Sequence, residues 1–244
     1  MVDVAIVDYG MGNLRSVQQA LRKVAPDAEI VVSDDARVIT KAARVVFPGQ
    51  GAMPDCMREL DTRGLRKAVL EAARSKPFFG ICIGLQMLFE RSDEGDVAGL
   101  GILRGKAARF ANNMHDAQGN KLKVPHMGWN LVQRINNPFH PQGEVAIARL
   151  RPPRFALPTG GGLGRGSASQ HPLWEGIDQD ARFYFVHSYY VQPQDASLMQ
   201  ATSSYLQPFV CAVAKDNLFA VQFHPEKSQA AGLKLLKNFV QWNP

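Results

Sequence analysis

The stretch Pro77-Phe78-Phe79-Gly80-Ile81-Cys82-Ile83-Gly84-Leu85-Gln86-Met87-Leu88-Phe89 constrains the fold more than any other. An apolar run of strand length ends at Gly80. Leu85, Leu88 and Phe89 then recur at helical spacing, so a strand should turn into a helix with Cys82 on the corner. Glycines two residues before and after Cys82 are what a nucleophile elbow needs, because the thiol stands proud of a tight turn whose flanks must lack bulk. A helix beginning at Ile83 points backbone N–H groups at the sulfur, which favours thiolate. Buried cysteines pack inertly more often than they react, so the motif alone leaves both readings open.

The surrounding chain repeats the strand-to-helix cadence. Val2 to Val7 reads as a buried strand closing on Asp8-Tyr9-Gly10-Met11-Gly12-Asn13, and Leu14, Val17, Leu21 and Val24 form one helical stripe behind it. Glu29 to Ser33 and Arg44 to Phe47 read as further strands, the latter running into Pro48-Gly49-Gln50-Gly51-Ala52. A helix from Gly64 or Leu65, with Leu65, Val69 and Ala72 inward, leads back to the elbow. This alternation implies an α/β fold: a doubly wound, mostly parallel central sheet. Gly10 and Gly12 lack the third glycine of a dinucleotide fingerprint, and no acidic residue ends the second strand, so nucleotide binding is not indicated. After Ser92, shorter strands around Gly101 to Phe110, Lys121 to Pro125, Arg182 to Gln192 and Phe209 to His224 read as antiparallel additions, the last a hairpin turning at Asp216-Asn217. Leu233, Leu236 and Val240 mark a closing helix.

The 244 residues can bury one sizeable core, and a single domain over 1–244 is expected. Asn136 to Gln170 interrupts it with five prolines, the run Gly160-Gly161-Gly162-Leu163-Gly164, and four arginines against one glutamate. Such a segment cannot bury much apolar area and reads as an inserted surface excursion, with Val145 to Leu150 as its one strand candidate. It also holds half of the net charge of +6. Without a long Lys/Arg run or an aromatic-studded basic strand, that charge does not argue for nucleic acid. Three cysteines without metal-ligand spacing fit a reducing compartment and no metal site. The N-terminus lacks a basic region before its apolar stretch and no run is long enough to cross a bilayer, so a cytoplasmic protein without a membrane partner is expected.

Six histidines compete to serve Cys82: His115, His126, His140, His171, His187 and His224. His224 differs because Glu226 stands two residues on, where an extended chain puts both on one face. A carboxylate there can bond one imidazole nitrogen and leave the other for the thiol. A free thiol is only a few per cent ionised at neutral pH, and an imidazolium partner lowers its pKa by several units. Cys82, His224 and Glu226 therefore make a nucleophile, base and orienter set. Its oxyanion would take the Ile83 N–H and a second donor from Gly49-Gln50-Gly51, each such donor worth about 3 kcal/mol of barrier.

With these residues assembled, the chain resembles the class I (triad) glutamine amidotransferases, whose fold is flavodoxin-like. More narrowly it is similar to the glutaminase subunits of imidazole glycerol phosphate synthase. Asp8 to Leu14, Pro48 to Ala52, Gly80 to Gln86, Pro125-His126-Met127-Gly128-Trp129-Asn130, Val186 to Tyr189 and Phe223-His224-Pro225-Glu226-Lys227-Ser228 match in order. The resemblance implies that Cys82 attacks the side-chain amide of L-glutamine, that His224 shuttles protons and that Glu226 orients it. It implies glutamine contacts from Gly49, Gly51, Gln86, Ser188 and Tyr189, an oxyanion hole from Ile83 with Gln50 or Gly51, and no cofactor. It further implies a heterodimer with a (β/α)8-barrel cyclase subunit that receives the ammonia, with Asn13, Trp129 and Lys227 facing that partner. A glutaminase of another synthase, such as pyridoxal phosphate synthesis, a non-catalytic scaffold and a stand-alone γ-glutamyl peptidase are the rival readings. Two departures stand out: Gln50 replaces a small apolar residue, and the 136–170 insertion is absent from compact members.

Overall fold

The structure is a computed structural model and describes residues 2–115, 118–135 and 170–244. The insertion expected at 136–170, with its strand candidate, lies outside the described residues except for Gln170. The parallel part of the sheet uses β1 (Val4–Val7), β2 (Ile30–Ser33), β3 (Arg44–Gly49), β4 (Phe78–Cys82) and β14 (Leu218–Val221). They lie in the order β2-β1-β3-β4-β14, all neighbours parallel. Every residue of β1, β4 and β14 is buried, as strands covered on both faces must be. Helices α1 (Leu14–Val24), α2 (Ala36–Lys41), α3 (Met53–Thr62), α4 (Arg66–Ser75) and the closing α6 (Gln229–Gln241) supply the cover, α1 packing with α6 and α2 with α4. Between α4 and α6 lies α5 (Ile83–Gln86), the single turn behind the elbow.

Beyond β14 the sheet turns antiparallel through β13 (Gln207–Lys215) and β11 (Tyr189–Pro193) to β7 (Leu103–Arg109), then reaches β5 (Phe89–Ser92) and β6 (Val97–Ala98). β12 (Met199–Tyr205) pairs with β13 and with the short β9 (Gln133–Arg134). The expected hairpin at Asp216-Asn217 is present between β13 and β14. One hydrophobic cluster runs through the described elements from Val4 to Trp242. No helix among the described residues is long and apolar enough to cross a membrane.

Three expectations need correction. The helical spacing after Cys82 fills only the α5 turn before Phe89 opens β5, whose pairing to β7 captures the chain. The macrodipole behind the sulfur is correspondingly small. The strand expected at Lys121 to Pro125 is instead β8 (His126–Leu131), starting just past a proline that cannot donate to a ladder. The run from Arg182 to Gln192 breaks at Ser188, where β10 (Arg182–His187) leaves to pair with β8 and β11 joins the main sheet. The helices α2 and α3 and the strands β5, β6, β9 and β12 have no counterpart in the sequence reading; α2 and α3 are short and follow polar or Pro-bearing turns that mask their periodicity.

β8 and β10 thus form a separate antiparallel ribbon. Burial alternates strictly along β8, with His126, Gly128 and Asn130 inward and Met127 (64% exposed), Trp129 (43%) and Leu131 (42%) outward.

Candidate active site

Cys82 ends β4 with φ 56° and ψ −110°, a conformation a non-glycine residue holds only when its surroundings impose it. The flanking glycines show what imposes it. A Cβ on Gly84 would collide with the Phe47 carbonyl of β3, and one on Gly80 would lie 2.9 Å from the Ala220 Cβ of β14. The elbow therefore sits wedged between two parallel strands, 4% exposed, with its sulfur at a cavity of about 270 Å³.

His224 follows β14 and meets the same cavity. Its Nδ1 lies 2.8 Å from Glu226 Oε1, the carboxylate side chain being only 1% exposed. The contact is made by a 3-10 turn over Pro225–Lys227 instead of by strand alternation, because Pro225 fits the first turn position and folds Glu226 back on the ring. Nε2 has no hydrogen-bond partner among the described residues, and Cys82 lines the same cavity as His224. Burial opposes an imidazolium here, but the charge interactions with Cys82 and the bond to Glu226 outweigh burial and raise His224 to about 10. Sulfur, imidazole and carboxylate are brought together from Cys82 to Glu226.

The cavity is lined further by Gln50, Gly51, Ile83, Gln86, Glu94, Pro125, Val186, His187, Ser188 and Tyr189. Gly51, at φ +102°, needs to be glycine, and the Gln50 carbonyl accepts from the Cys56 thiol at 3.4 Å. Burial pushes that thiol up to about 11, so it stays a neutral donor. Gly49 does not reach the cavity: it packs under Tyr9 and Ile83, where a side chain would have no room. Gln86 is buried, and its Nε2 donates to the Tyr189 carbonyl at 3.2 Å and to Gln222 Oε1 at 3.1 Å, while its Oε1 has no partner among the described residues.

Asn13, Trp129 and Lys227 lie off the cavity. Lys227 Nζ stands 5.9 Å over the Tyr184 ring, and Trp129 meets the same ring edge-on at 6.1 Å, so those two share the outer face of the ribbon. Asn13 precedes α1, which packs against the Pro225–Lys227 turn.

Sequence reasoning missed Gln222, His187 and His126. Gln222 is fully buried and its Nε2 lies 3.7 Å from the Cys82 sulfur. His187 and His126 share a bond of 2.9 Å, Nε2 to Nδ1, and burial keeps both neutral, lowering His126 to about 4 and His187 to about 3. Gln222 was findable, since it stands two residues before His224 and so shares its face. The histidine pair was not, because it depends on the β8–β10 register that sets His126 opposite His187.

A flavodoxin-like sheet bearing a cysteine elbow, with histidine and glutamate delivered after its last parallel strand, is the layout of one large group of enzymes, and known proteins of similar sequence and structure agree. Residues 5–242 match the family model Glutamine amidotransferase class-I. Two solved structures align over nearly the whole chain: a glutamine amidotransferase (TM-score 0.61, 14% identity, 98% of this chain and 97% of that one) and PurLQS from Thermotoga maritima (0.59, 16%, 99% and 98%). At such identity they attest the fold. The chain belongs to the class I glutamine amidotransferase family. Within it, the chain is 56% identical to imidazole glycerol phosphate synthase subunit HisH of Thiobacillus denitrificans, over all of this chain and 92% of that protein. It is 56% identical to the subunit HisH of Nitrosospira multiformis over the full length of both. It is a member of that subunit family.

Proposed function

We propose that this protein is a cytoplasmic glutaminase that hydrolyses L-glutamine to glutamate and ammonia and passes the ammonia to a (β/α)8-barrel cyclase subunit, completing imidazole glycerol phosphate synthase for histidine biosynthesis. The observation that carries the reading is the meeting of Cys82 and His224 at one cavity large enough for an amino acid side chain, with Glu226 bonded to the far nitrogen of His224. The sulfur attacks the amide carbon, and the tetrahedral oxyanion is received by the Ile83 N–H with the N–H of Gln50 or Gly51. An imidazolium at His224, favoured by its raised pKa, gives its proton to the departing nitrogen, so ammonia leaves and a γ-glutamyl thioester remains. Neutral His224 then takes a proton from water as its oxygen attacks the thioester carbon. Glutamate departs and the thiolate–imidazolium pair returns.

Gln86 supports the substrate assignment. Both hydrogens of its amide are committed within the protein, which leaves the buried Oε1 as an acceptor for a donor on the ligand. Gly51, Ser188 and Tyr189, which line the cavity, complete the holding set, and Gly49 contributes by packing instead of contact. The ribbon's outer face, with Trp129, Met127, Leu131 and Lys227, is the docking surface assigned to the cyclase, and Asn13 lies on the helix that packs against the Lys227 turn. The test is to combine Cys82→Ala protein with the cyclase. Glutamine-dependent synthesis should vanish while synthesis from added ammonia survives, as product formation would report. Retained glutamine dependence would overturn the assignment of Cys82.

A further inference from the structure

One carbonyl sets the polarity of a hydrogen-bond chain that runs from the ribbon to the sulfur. The Tyr189 carbonyl can only accept, and it receives two donors: His187 Nδ1 at 2.7 Å and Gln86 Nε2 at 3.2 Å. On the ribbon side, neutral His187 must then carry its hydrogen on Nδ1 and offer Nε2 as acceptor. His126 must donate from Nδ1 to that nitrogen at 2.9 Å, and its own Nε2 accepts from Asn130 Nδ2 at 3.2 Å. Asn130 also donates to the Ser204 carbonyl at 2.8 Å, which fixes the orientation of its amide. Every link is consistent with neutral imidazoles, and no other arrangement of the hydrogens satisfies it.

On the other side, Gln86 uses its second hydrogen on Gln222 Oε1 at 3.1 Å. That leaves Gln222 Nε2 facing the Cys82 sulfur at 3.7 Å, able only to donate. The thiol's own alternative is the Val186 carbonyl at 4.0 Å, an acceptor that serves S–H and offers nothing to a thiolate. Two of the sulfur's neighbours thus prefer opposite protonation states, and the closer one, locked by the chain, prefers the anion.

We propose that Gln222 is a further residue of the reaction, a buried donor to the attacking sulfur whose aim is fixed, through Gln86, by the Tyr189 carbonyl. The inference rests on the glutaminase reading for its place in the reaction, but the hydrogen bond to sulfur can be tested without glutamine. The charged and titratable groups around the sulfur are His224 with Glu226 after β14, Glu94 and His187 across the cavity, and Cys56 and Tyr9 beneath the elbow; a neutral donor adds to these without changing their charge.

The experiment compares Gln222→Met, similar in length but without a donor, with the unaltered protein in complex with its cyclase partner. The second-order rate of Cys82 carbamidomethylation by iodoacetamide at pH 7.5 is followed by peptide mass, and kcat and KM for glutamine are measured beside it. A bond to an ionised acceptor at this long separation should be worth about tenfold in the alkylation rate and in kcat, with KM changing by less than about threefold. Alkylation and kcat both within about twofold of the unaltered protein would overturn the proposal. So would a loss confined to KM, which would mean that Gln222 acts only by holding Gln86. Should Gln222→Met fail to fold by circular dichroism, Gln222→Leu is read the same way. A glutaminase reading that was itself wrong would show differently: the unaltered complex would alkylate at Cys82 yet release no ammonia.

Discussion

The two sides of the candidate site are built on different physical terms. On the elbow side, β3, β4 and β14 hold Cys82 by exclusion of volume: Gly80 and Gly84 are glycine because backbone and a neighbouring Cβ already occupy the space a side chain would need. On the ribbon side, β8 and β10 hold the site by hydrogen bonds. The Tyr184 carbonyl receives the His224 N–H at 2.9 Å, the Ser228 hydroxyl receives the Tyr184 N–H at 3.0 Å, and Val186 and His187 line the cavity. Close packing yields little without breaking, whereas the ribbon's hold on the site is directional and moves with the groups that donate and accept. The nucleophile thus stands on the rigid side, and the base and the substrate pocket are tied to a ribbon whose outer face is apolar and exposed. A partner seated on that face would act on the bonds and leave the wedge untouched.

Matched glycine substitutions break the comparison most directly. Gly84→Ala places a methyl against the Phe47 carbonyl, a backbone obstacle that cannot swing aside, and should cost about 3 kcal/mol or more of stability. Gly128→Ala on the ribbon meets nothing within 4 Å and pays only for its φ of +136°, about 1–2 kcal/mol. Urea midpoints of the two variants would rank them, and equal losses would show that the ribbon is packed as tightly as the elbow.

Activity separates the groups next. His224→Ala removes the proton carrier and should reduce glutaminase kcat by about 10⁴. Glu226→Gln keeps a group that can bond Nδ1 and should lose at least tenfold less. A reversed order in steady-state ammonia release would mean that the roles are misassigned. Trp129→Ala, outside the cavity, should weaken the cyclase complex by about 10- to 100-fold in a titration, while glutamine turnover by the isolated chain stays within about twofold.

How much of this was readable beforehand follows the same division. The elbow and the parallel strands were legible because their information is local: Gly80, Cys82 and Gly84 sit within one turn, and β1, β3 and β4 are short continuous apolar runs. The triad was legible because Glu226 is a near neighbour of His224, although a 3-10 turn and not a strand joins them. The ribbon was not. Its pairing joins residues 51 to 61 apart in sequence, its histidines look like any others in a sequence, and the break at Ser188 that frees β10 from the main sheet follows from no local signal. The β8–β10 register is what turns His126 and His187 from two isolated polar residues into a hydrogen-bonded pair.

Acid should sharpen the contrast last and least. His224 is raised from 6.5 to about 10, so its contribution to stability is full below pH 6.5 and is lost as pH rises toward about 10. The ribbon pair has the opposite sign. His126 and His187 are lowered to about 4 and about 3, so the unfolded chain binds protons that the folded chain refuses. Their contribution is full above pH 6.5 and drains away as pH falls toward about 4 and about 3. His126→Phe keeps the ring stacked between Phe185 and Tyr205, at 5.2 and 4.2 Å, while removing one titrating group. The variant should be less stable than the unaltered protein at pH 7.5, where a buried bond is lost, and the deficit should shrink by on the order of 1–3 kcal/mol at pH 4.5. Urea titrations at the two pH values read this difference. A deficit that stayed constant would mean that His126 is not held neutral by the fold, and the polarity of the hydrogen-bond chain would lose its anchor on the ribbon side.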